Sequence, residues 1–256
     1  MMEQTCLFLD NVGKSYFSRT SEEVVTALSN ITLSIYPGEY ICLLGRSGCG
    51  KSTLLSIIAG LENSDTGQVF IKGKPISGPD RHRMLMFQSD DLFPWLNVFD
   101  NVLYGLKLVE GISNQQRIEN AKAYLDLVGL SNFYDFKINQ LSGGMKQRVS
   151  LARALAPDPD VLLMDEPFSA LDAMTREQLY SDMQNIWKET KKTILMVTHN
   201  AREASCLGTR VVLMERGKIV GDEPILLPHP RSMNDPETGK TAARISQLLQ
   251  NADKSS

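Results

Sequence analysis

Long apolar runs are missing from this sequence. None approaches the ~18 residues that would mark a membrane-crossing helix, so no span is expected. The opening residues, "MMEQTCLFLDNVGKSY", lack the basic start and the longer apolar stretch of a secretory signal. Cysteine is sparse. Cys6, Cys42, Cys49 and Cys206 are scattered, with no C-x-x-C spacing. That argues against a zinc site and a disulfide frame, and it predicts cytosolic thiols. Neither sign of charge is in large excess. The formal net charge is -3, which gives no basic footprint for nucleic acid. Internal repeats and low-complexity tracts are also absent. What is left is an ordinary globular composition, 42% hydrophobic and 22% charged over 256 residues. The length suits one large domain, or a domain with a subdomain.

Short apolar runs are plentiful. "EYICLLG" (39–45), "RMLMFQ" (83–88), "DVLLMDE" (160–166), "TILMVTH" (193–199) and "RVVLME" (210–215) lack polar alternation and are bounded by polar or turn residues. Such runs predict strands buried on both faces of a largely parallel sheet. Between Asp91 and Ala156 the pattern turns helical, which predicts a helical insertion between two strands. "AMTREQLYSDMQNIWKETKK" (173–192) places Leu179, Met183, Ile186 and Trp187 on one helical face, a core stripe. The Pro-, Gly- and Asp-rich segment from Gly221 predicts an irregular tail before a short helix, capped by Asp235 with Pro236 at its first position.

The most informative stretch is "GRSGCGKSTLLSIIAG" (45–60). Gly45, Gly50, Lys51 and Ser52 form the phosphate-loop pattern G-x-x-x-x-G-K-S, entered by a predicted strand and left by a predicted helix. Glycines let the backbone curl so that successive N–H groups face inward, and the helix adds its positive end. Lys51 can reach the β- and γ-phosphates, and the Ser52 hydroxyl can ligate Mg²⁺. The alternative is a glycine-rich turn before an ordinary helix, which the strand–loop–helix context opposes.

A phosphate loop needs a metal partner. In "VLLMDE" (161–166) a buried strand delivers Asp165 and Glu166 to its C-terminal end, where open α/β sheets bind ligands. Asp165 is expected to serve Mg²⁺ and Glu166 to act as general base toward water. A third feature, "LSGGMKQR" (141–148), opens another helix, with Ser142 as cap and Gly143 and Gly144 baring the backbone. One chain with two phosphate binders is economically explained if the second serves a partner's ATP in a two-fold dimer. A merely structural, capped helix is the other reading.

In order and spacing these motifs resemble the ATP-binding cassette (ABC) ATPases over nearly the whole chain. The resemblance implies an α/β fold: a P-loop NTPase core, a mostly parallel sheet with helices, plus an N-terminal antiparallel β region and an inserted α-helical subdomain. It divides the single domain into a nucleotide-binding core (1–90 and 157–225), a helical subdomain carrying the signature (91–156) and a C-terminal tail (226–256). It implies that Tyr16 stacks on adenine and that Gly45, Ser47, Gly48, Cys49, Gly50, Lys51, Ser52 and Thr53 hold ATP. Gln88 is then the Q-loop glutamine near Mg²⁺, alongside Ser52 and Asp165. Ser142, Gly143 and Gly144 are signature contacts to the partner's nucleotide, Ser169–Asp172 is the D-loop, and His199 is the switch histidine at the γ-phosphate. Lys51, Gln88, Glu166 and His199 form the implied catalytic group. Without that register, Tyr16 would read as a core aromatic and His199 as a strand-end structural residue.

"LFPWLNVFDNVLYGL" (92–106) and "LPHPRS" (227–232) resemble segments of importers for nitrate, sulfonate, taurine and bicarbonate, with His229 where arginine is usual. That resemblance implies an ATPase subunit on the cytoplasmic face of the membrane, a homodimer beneath a separate permease, served indirectly by an extracytoplasmic solute-binding protein. Phe93 and Trp95 are then either core packing or an apolar patch for the permease. The rivals are a soluble ABC ATPase without a transporter, another transporter subgroup, and a non-hydrolysing regulatory cassette. The stretch from Lys51 to Ser142 has no sustained heptads, which disfavours the coiled-coil repair proteins. All catalytic motifs are present, which disfavours the regulatory form. The cargo is not written in this chain.

Overall fold

The computed structural model describes residues 5–18, 23–88, 92–107 and 109–254. Among them are two sheets and seven α-helices. The central sheet contains β3 (Tyr40–Leu44), β6 (Arg83–Met86), β7 (Val161–Asp165), β8 (Thr193–Thr198), β9 (Arg210–Glu215) and β10 (Lys218–Pro224), in the order β10-β9-β3-β8-β7-β6. All neighbours are parallel except β10, an antiparallel edge on β9. Every residue of β3 and β8 is buried. That is why the sequence of these strands shows no alternation: both faces are covered.

The register decides where the motifs end up. Leu44 lies opposite both Thr198 and Leu213, Asp165 opposite Val197, and Met86 opposite Met164. The chain segments that leave β3, β8, β7 and β6 therefore emerge side by side along one carboxyl edge. Phosphate loop, His199, Glu166 and Gln88 follow those four strands in turn.

A second sheet is antiparallel. It contains β1 (Leu7–Ser18), β2 (Glu23–Ile35), β4 (Thr66–Ile71) and β5 (Lys74–Pro75), in the order β2-β1-β4-β5. Helix α1 (Lys51–Ala59) shares a core with both sheets and buries Leu54, Leu55, Ile57 and Ile58. Each such side chain contributes roughly 1.5–3 kcal/mol. The helix ends at Gly60, whose φ of 78° is left-handed and whose absent Cβ leaves room for the Gly78 carbonyl.

Between β6 and β7 the described residues form helices α2 (Val98–Leu106), α3 (Asn114–Leu127) and α4 (Gly143–Leu155), with a 3₁₀ turn at Ile138–Gln140. Their only strand-like pairing is an isolated bridge, Asn97 with Lys137. Residues 89–91 of the "FQSDD" segment and residue 108 of the α2 stretch lie outside the described residues. Helix α5 (Ala173–Thr190) buries Leu179, Met183 and Ile186 as its stripe predicts. Trp187 is half-buried and donates from Nε1 to the Gly38 carbonyl at 3.1 Å.

The C-terminal expectation needs correction. Gly221–Pro224 belong to β10, and the last helix is not short: after α6 (Ala201–Leu207), α7 runs 19 residues from Pro236 to Lys254. Asp235 does receive the Glu237 N–H at 3.0 Å. The intervening segment is held by Arg231, which is 8% exposed. Its guanidinium donates to the carbonyls of Ser205, Gly208, Ile225 and Leu227. Its backbone N–H donates to Gln184 Oε1 at 2.6 Å, and Gln184 Nε2 returns a bond to the Arg231 carbonyl at 2.9 Å. Polar composition here hid an anchor that exists only once α5 and α6 are adjacent. His229 packs its ring against Trp187, centroids 5.0 Å apart, and burial pushes its pKa down to about 4.

Candidate nucleotide site

The phosphate loop follows β3 directly. At Gly45 a Cβ would come within 2.3 Å of the Met214 carbonyl oxygen, so the loop needs glycine to sit this close to β9. Gly50, the N-cap of α1, has φ 103° and would drive a side chain into the Ala27 carbonyl. Gly48, also at positive φ, faces open space. Helix α1 has no side-chain cap and no acidic residue in its first turn. Its leading N–H groups therefore have no intrahelical acceptor and remain available to an anion. Lys51 is buried, and its Nζ bonds the carbonyls of Gly45 and Arg46, each at 2.8 Å. The ammonium thus sits within its own loop, where phosphate oxygens can replace those carbonyls. Cys49 is a buried free thiol whose pKa burial raises, so it is no thiolate nucleophile.

Asp165 ends β7 and faces α1. Burial raises its pKa, while a hydrogen bond with Ser52 and the Lys51 charge oppose that rise. Hydroxyl and carboxylate are thus paired as hard oxygen donors, a set that suits Mg²⁺ shared with phosphates. No group of three or more His, Cys, Asp or Glu side chains placed to hold a metal by themselves occurs among the described residues. A cation here would depend on the nucleotide for its remaining ligands.

Glu166 comes next and has a positive φ of 44°. That uncommon conformation turns the chain sharply after the strand. Its Oε2 is 3.0 Å from Nδ1 of His199, which leaves β8 next door. Glu166 is largely covered and His199 half-exposed. Gln88 Nε2 donates to Ser169 Oγ at 3.2 Å, and Ser169 Oγ donates to the Glu166 carbonyl at 3.0 Å. Gln88 is therefore linked to Glu166 through the D-loop segment.

Tyr16 is 40% exposed on β1, so it is not a core aromatic. Its hydroxyl donates to Glu62 Oε2 at 2.7 Å, and Lys14 Nζ lies 5.5 Å from its ring centroid. Burial, followed by the Glu62 bond, raises its pKa, and Thr53 on α1 bonds the same hydroxyl. The Thr53 bond sets the Tyr16 hydroxyl beside the first turn of α1.

The signature segment is elsewhere. Ser142 caps α4, accepting the Met145 N–H at 3.3 Å. A Cβ on Gly144 would meet Thr175 Cγ2 at 2.4 Å, and one on Gly143 would meet Leu171 Cδ2 at 3.2 Å. These glycines admit the start of α5 as well as baring backbone. Ser142 and Gly144 line a cavity of about 520 Å³ with Phe133, Arg148 and Met174, and no phosphate-loop residue borders it. Within one chain the start of α4 and the phosphate loop thus share no cavity.

Sequence reasoning missed two residues near His199. Thr198 and Glu203 are buried beside it, and neither carries a motif of its own. The only signal was a carboxylate one helical turn beyond the histidine.

An ABC transporter family model matches residues 28–169. The taurine import ATP-binding protein TauB of Burkholderia thailandensis is 46% identical over 82% of this chain and 80% of its own length. The nitrate import ATP-binding protein NrtD of a Synechocystis species is 45% identical over 88% of each. The bicarbonate transport ATP-binding protein CmpD of Synechococcus elongatus is 40% identical over 90% of this chain and 85% of its own. Among solved structures, the dimeric bacterial ABC transporter cassette MJ0796 superposes with a TM-score of 0.76 at 34% identity, over 87% of this chain and all of that one. Phosphate loop, paired carboxylates and histidine on one sheet edge, joined to these likenesses, place the chain in the ABC transporter family, as one of its ATP-binding cassettes.

Proposed function

We propose that the chain is the ATP-hydrolysing subunit of an ABC importer for a small anionic solute of the nitrate, sulfonate, taurine or bicarbonate class. The observation that carries the hydrolytic part is the 3.0 Å contact between Glu166 and His199 on the carboxyl edge that also carries Lys51. The importer part rests on the 40–46% identity to the taurine, nitrate and bicarbonate subunits.

Lys51 and the α1 N–H groups bind the β- and γ-phosphates, and Tyr16 offers a ring face to the base. Ser52, Asp165 and Gln88 would hold Mg²⁺, which screens and polarises the phosphate oxygens. Glu166 accepts the proton of the attacking water, and His199 orients Glu166 and reaches the γ-phosphate. Since Ser142 and Gly144 share no cavity with the chain's own phosphate loop, they and Gly143 serve the nucleotide of a second copy in a homodimer. ATP favours closure because it gains contacts from both copies only in the closed state. The core (1–90, 157–225), the helical subdomain (91–156) and the tail (226–256) then act as parts of one domain. The dimer sits peripherally on the cytoplasmic face under a permease, which a binding protein supplies from outside.

Glu166→Gln tests this reading. The amide cannot take up a proton, so ATP binding is retained, turnover falls at least 100-fold, and ATP traps a dimer on size-exclusion chromatography with light scattering. Near-normal hydrolysis would remove Glu166 from the general-base role. A wild-type chain that binds ATP without hydrolysing it would favour the regulatory reading instead.

A further inference from the structure

Behind Glu166 and His199 lies a cavity of about 110 Å³ bordered by Ser169, Arg176, Tyr180, Thr198 and Glu203. Glu203 is the unexplained member. It is 6% exposed, and no step proposed above uses it. Burying a carboxylate is expensive, by several kcal/mol even when paired. A helix of 7 residues with an asparagine cap does not need one.

Its contacts form a closed circuit around the histidine. The Thr198 hydroxyl, 1% exposed, donates to Glu203 Oε2. The Thr198 hydroxyl oxygen also accepts the Asn200 N–H at 3.0 Å. Asn200 Oδ1 in turn accepts the N–H groups of Arg202 at 2.9 Å and Glu203 at 3.3 Å. The residues on both sides of His199 are thereby tied to Glu203, through its side chain on one path and its backbone on the other. A hydroxyl has one proton. Because Glu203 accepts it, the Thr198 oxygen presents its lone pairs to Asn200. Glu203 is further faced by Tyr180, Arg176 and His199 itself, and burial raises its pKa against the opposing effect of those neighbours. Arg176 Nη2 also donates to the Leu171 carbonyl, so the wall of the cavity is itself fastened to the D-loop segment.

We propose that Glu203 is a positioning residue for the hydrolytic step: through Thr198 and Asn200 it fixes the turn that presents His199 to Glu166. The proposal rests on the ATPase reading for its kinetic consequence but not for its structural one. Misplacement of a catalytic group by about 1 Å can cost on the order of 100-fold in rate. Glu203→Gln keeps the volume but offers Thr198 a neutral, weaker acceptor. Thr198→Val removes the hydroxyl at constant shape, and Thr198→Ser restores it.

The experiment has two arms. In the kinetic arm, Glu203→Gln and Thr198→Val each lower kcat about 10- to 100-fold at unchanged KM for ATP, Thr198→Ser recovers most of the rate, and the double variant is no worse than the poorer single one. Equal kcat in a folded Glu203→Gln protein, or additive losses in the double variant, overturns the proposal. The second arm needs no nucleotide. The chain has 3 histidines, so the imidazole ¹⁵N–¹H spectrum is readable with His82 and His229 as internal controls. In Glu203→Gln and Thr198→Val the His199 signals shift or broaden while the other two stay in place. An unchanged His199 signal refutes the positioning role even if the wild-type chain hydrolyses nothing. A wild-type chain without turnover but with the predicted shift refutes the ATPase reading alone.

Discussion

Trp95→Ala separates the two readings of the most conspicuous aromatic in the molecule. Trp95 is 71% exposed, and Tyr104 and Phe87 nearby in the chain are each 45% exposed. Its ring touches Phe93, centroids 5.4 Å apart, and Phe93 in turn packs edge-on against Tyr104 at 4.6 Å with the Arg153 guanidinium over its face. The turn that presents it is rigid. Asn101, fully buried, accepts the Phe93 N–H at 2.9 Å and donates to the carbonyls of Phe93 and Asn97. Truncating a core tryptophan costs about 3–5 kcal/mol. Here less than a third of the side chain is covered, and the covered part amounts to one aromatic pair, worth about 0.5–1.5 kcal/mol. For a chain of this size ~1 kcal/mol moves Tm by about 2–4 °C. Trp95→Ala should therefore leave the isolated protein's melting within about 6 °C of wild type and its basal ATP hydrolysis unchanged. If the ring anchors the permease, truncation costs ~2 kcal/mol or more at that interface, about 30-fold in affinity. Differential scanning fluorimetry on the isolated chain, with co-purification and transport in reconstituted vesicles, reads both numbers. A drop in Tm near 10 °C would make Trp95 a core residue and refute the exposure argument. Unchanged assembly and fully coupled transport in a stable variant would move the docking surface elsewhere on α2–α4.

Two further predictions concern the dimer and the C-terminal anchor. Lys51→Ala should weaken ATP binding in its own chain and Ser142→Arg should block closure over the partner's nucleotide, so mixing the two inactive proteins should return up to about a quarter of wild-type hydrolysis, from heterodimers in which both lesions fall on one site; heterodimers that form yet stay inactive would refute the shared site. Arg231→Met strips charged donors from four carbonyls, those of Ser205, Gly208 and Ile225 buried and that of Leu227 half-buried, for an expected loss of about 3–5 kcal/mol, readable as a fall in the denaturation midpoint at unchanged slope, and a midpoint near wild type would show that these four carbonyls find other partners.

Much of this protein was legible in one dimension. A phosphate loop is a contiguous stretch whose glycines and lysine act through local backbone geometry, so "GRSGCGKST" announces itself. The buried strands are equally plain, since a strand covered on both faces must be apolar throughout. The same holds for the cap of α4 and the cap of α7, where a side chain bonds a backbone only two or three residues away. Other features depend on which strands become neighbours. Glu166 and His199 are separated by 33 positions, and only the parallel pairing of β7 with β8 brings them to 3.0 Å. Gln88 reaches Glu166 through Ser169 only because β6 lies beside β7. Whether Trp95 is core or surface depended on how α2 meets α4, since "FPW" has the same composition either way. The length of α7 was obscured because its apolar face is sparse, with Ala242 and Ile245 buried among polar residues. Its stability comes from the α6 and β9–β10 surface it covers. Arg231 and Glu203 are the extreme cases: charged residues that look solvated in sequence are buried here, because their partners are carbonyls and hydroxyls supplied by distant turns of the chain.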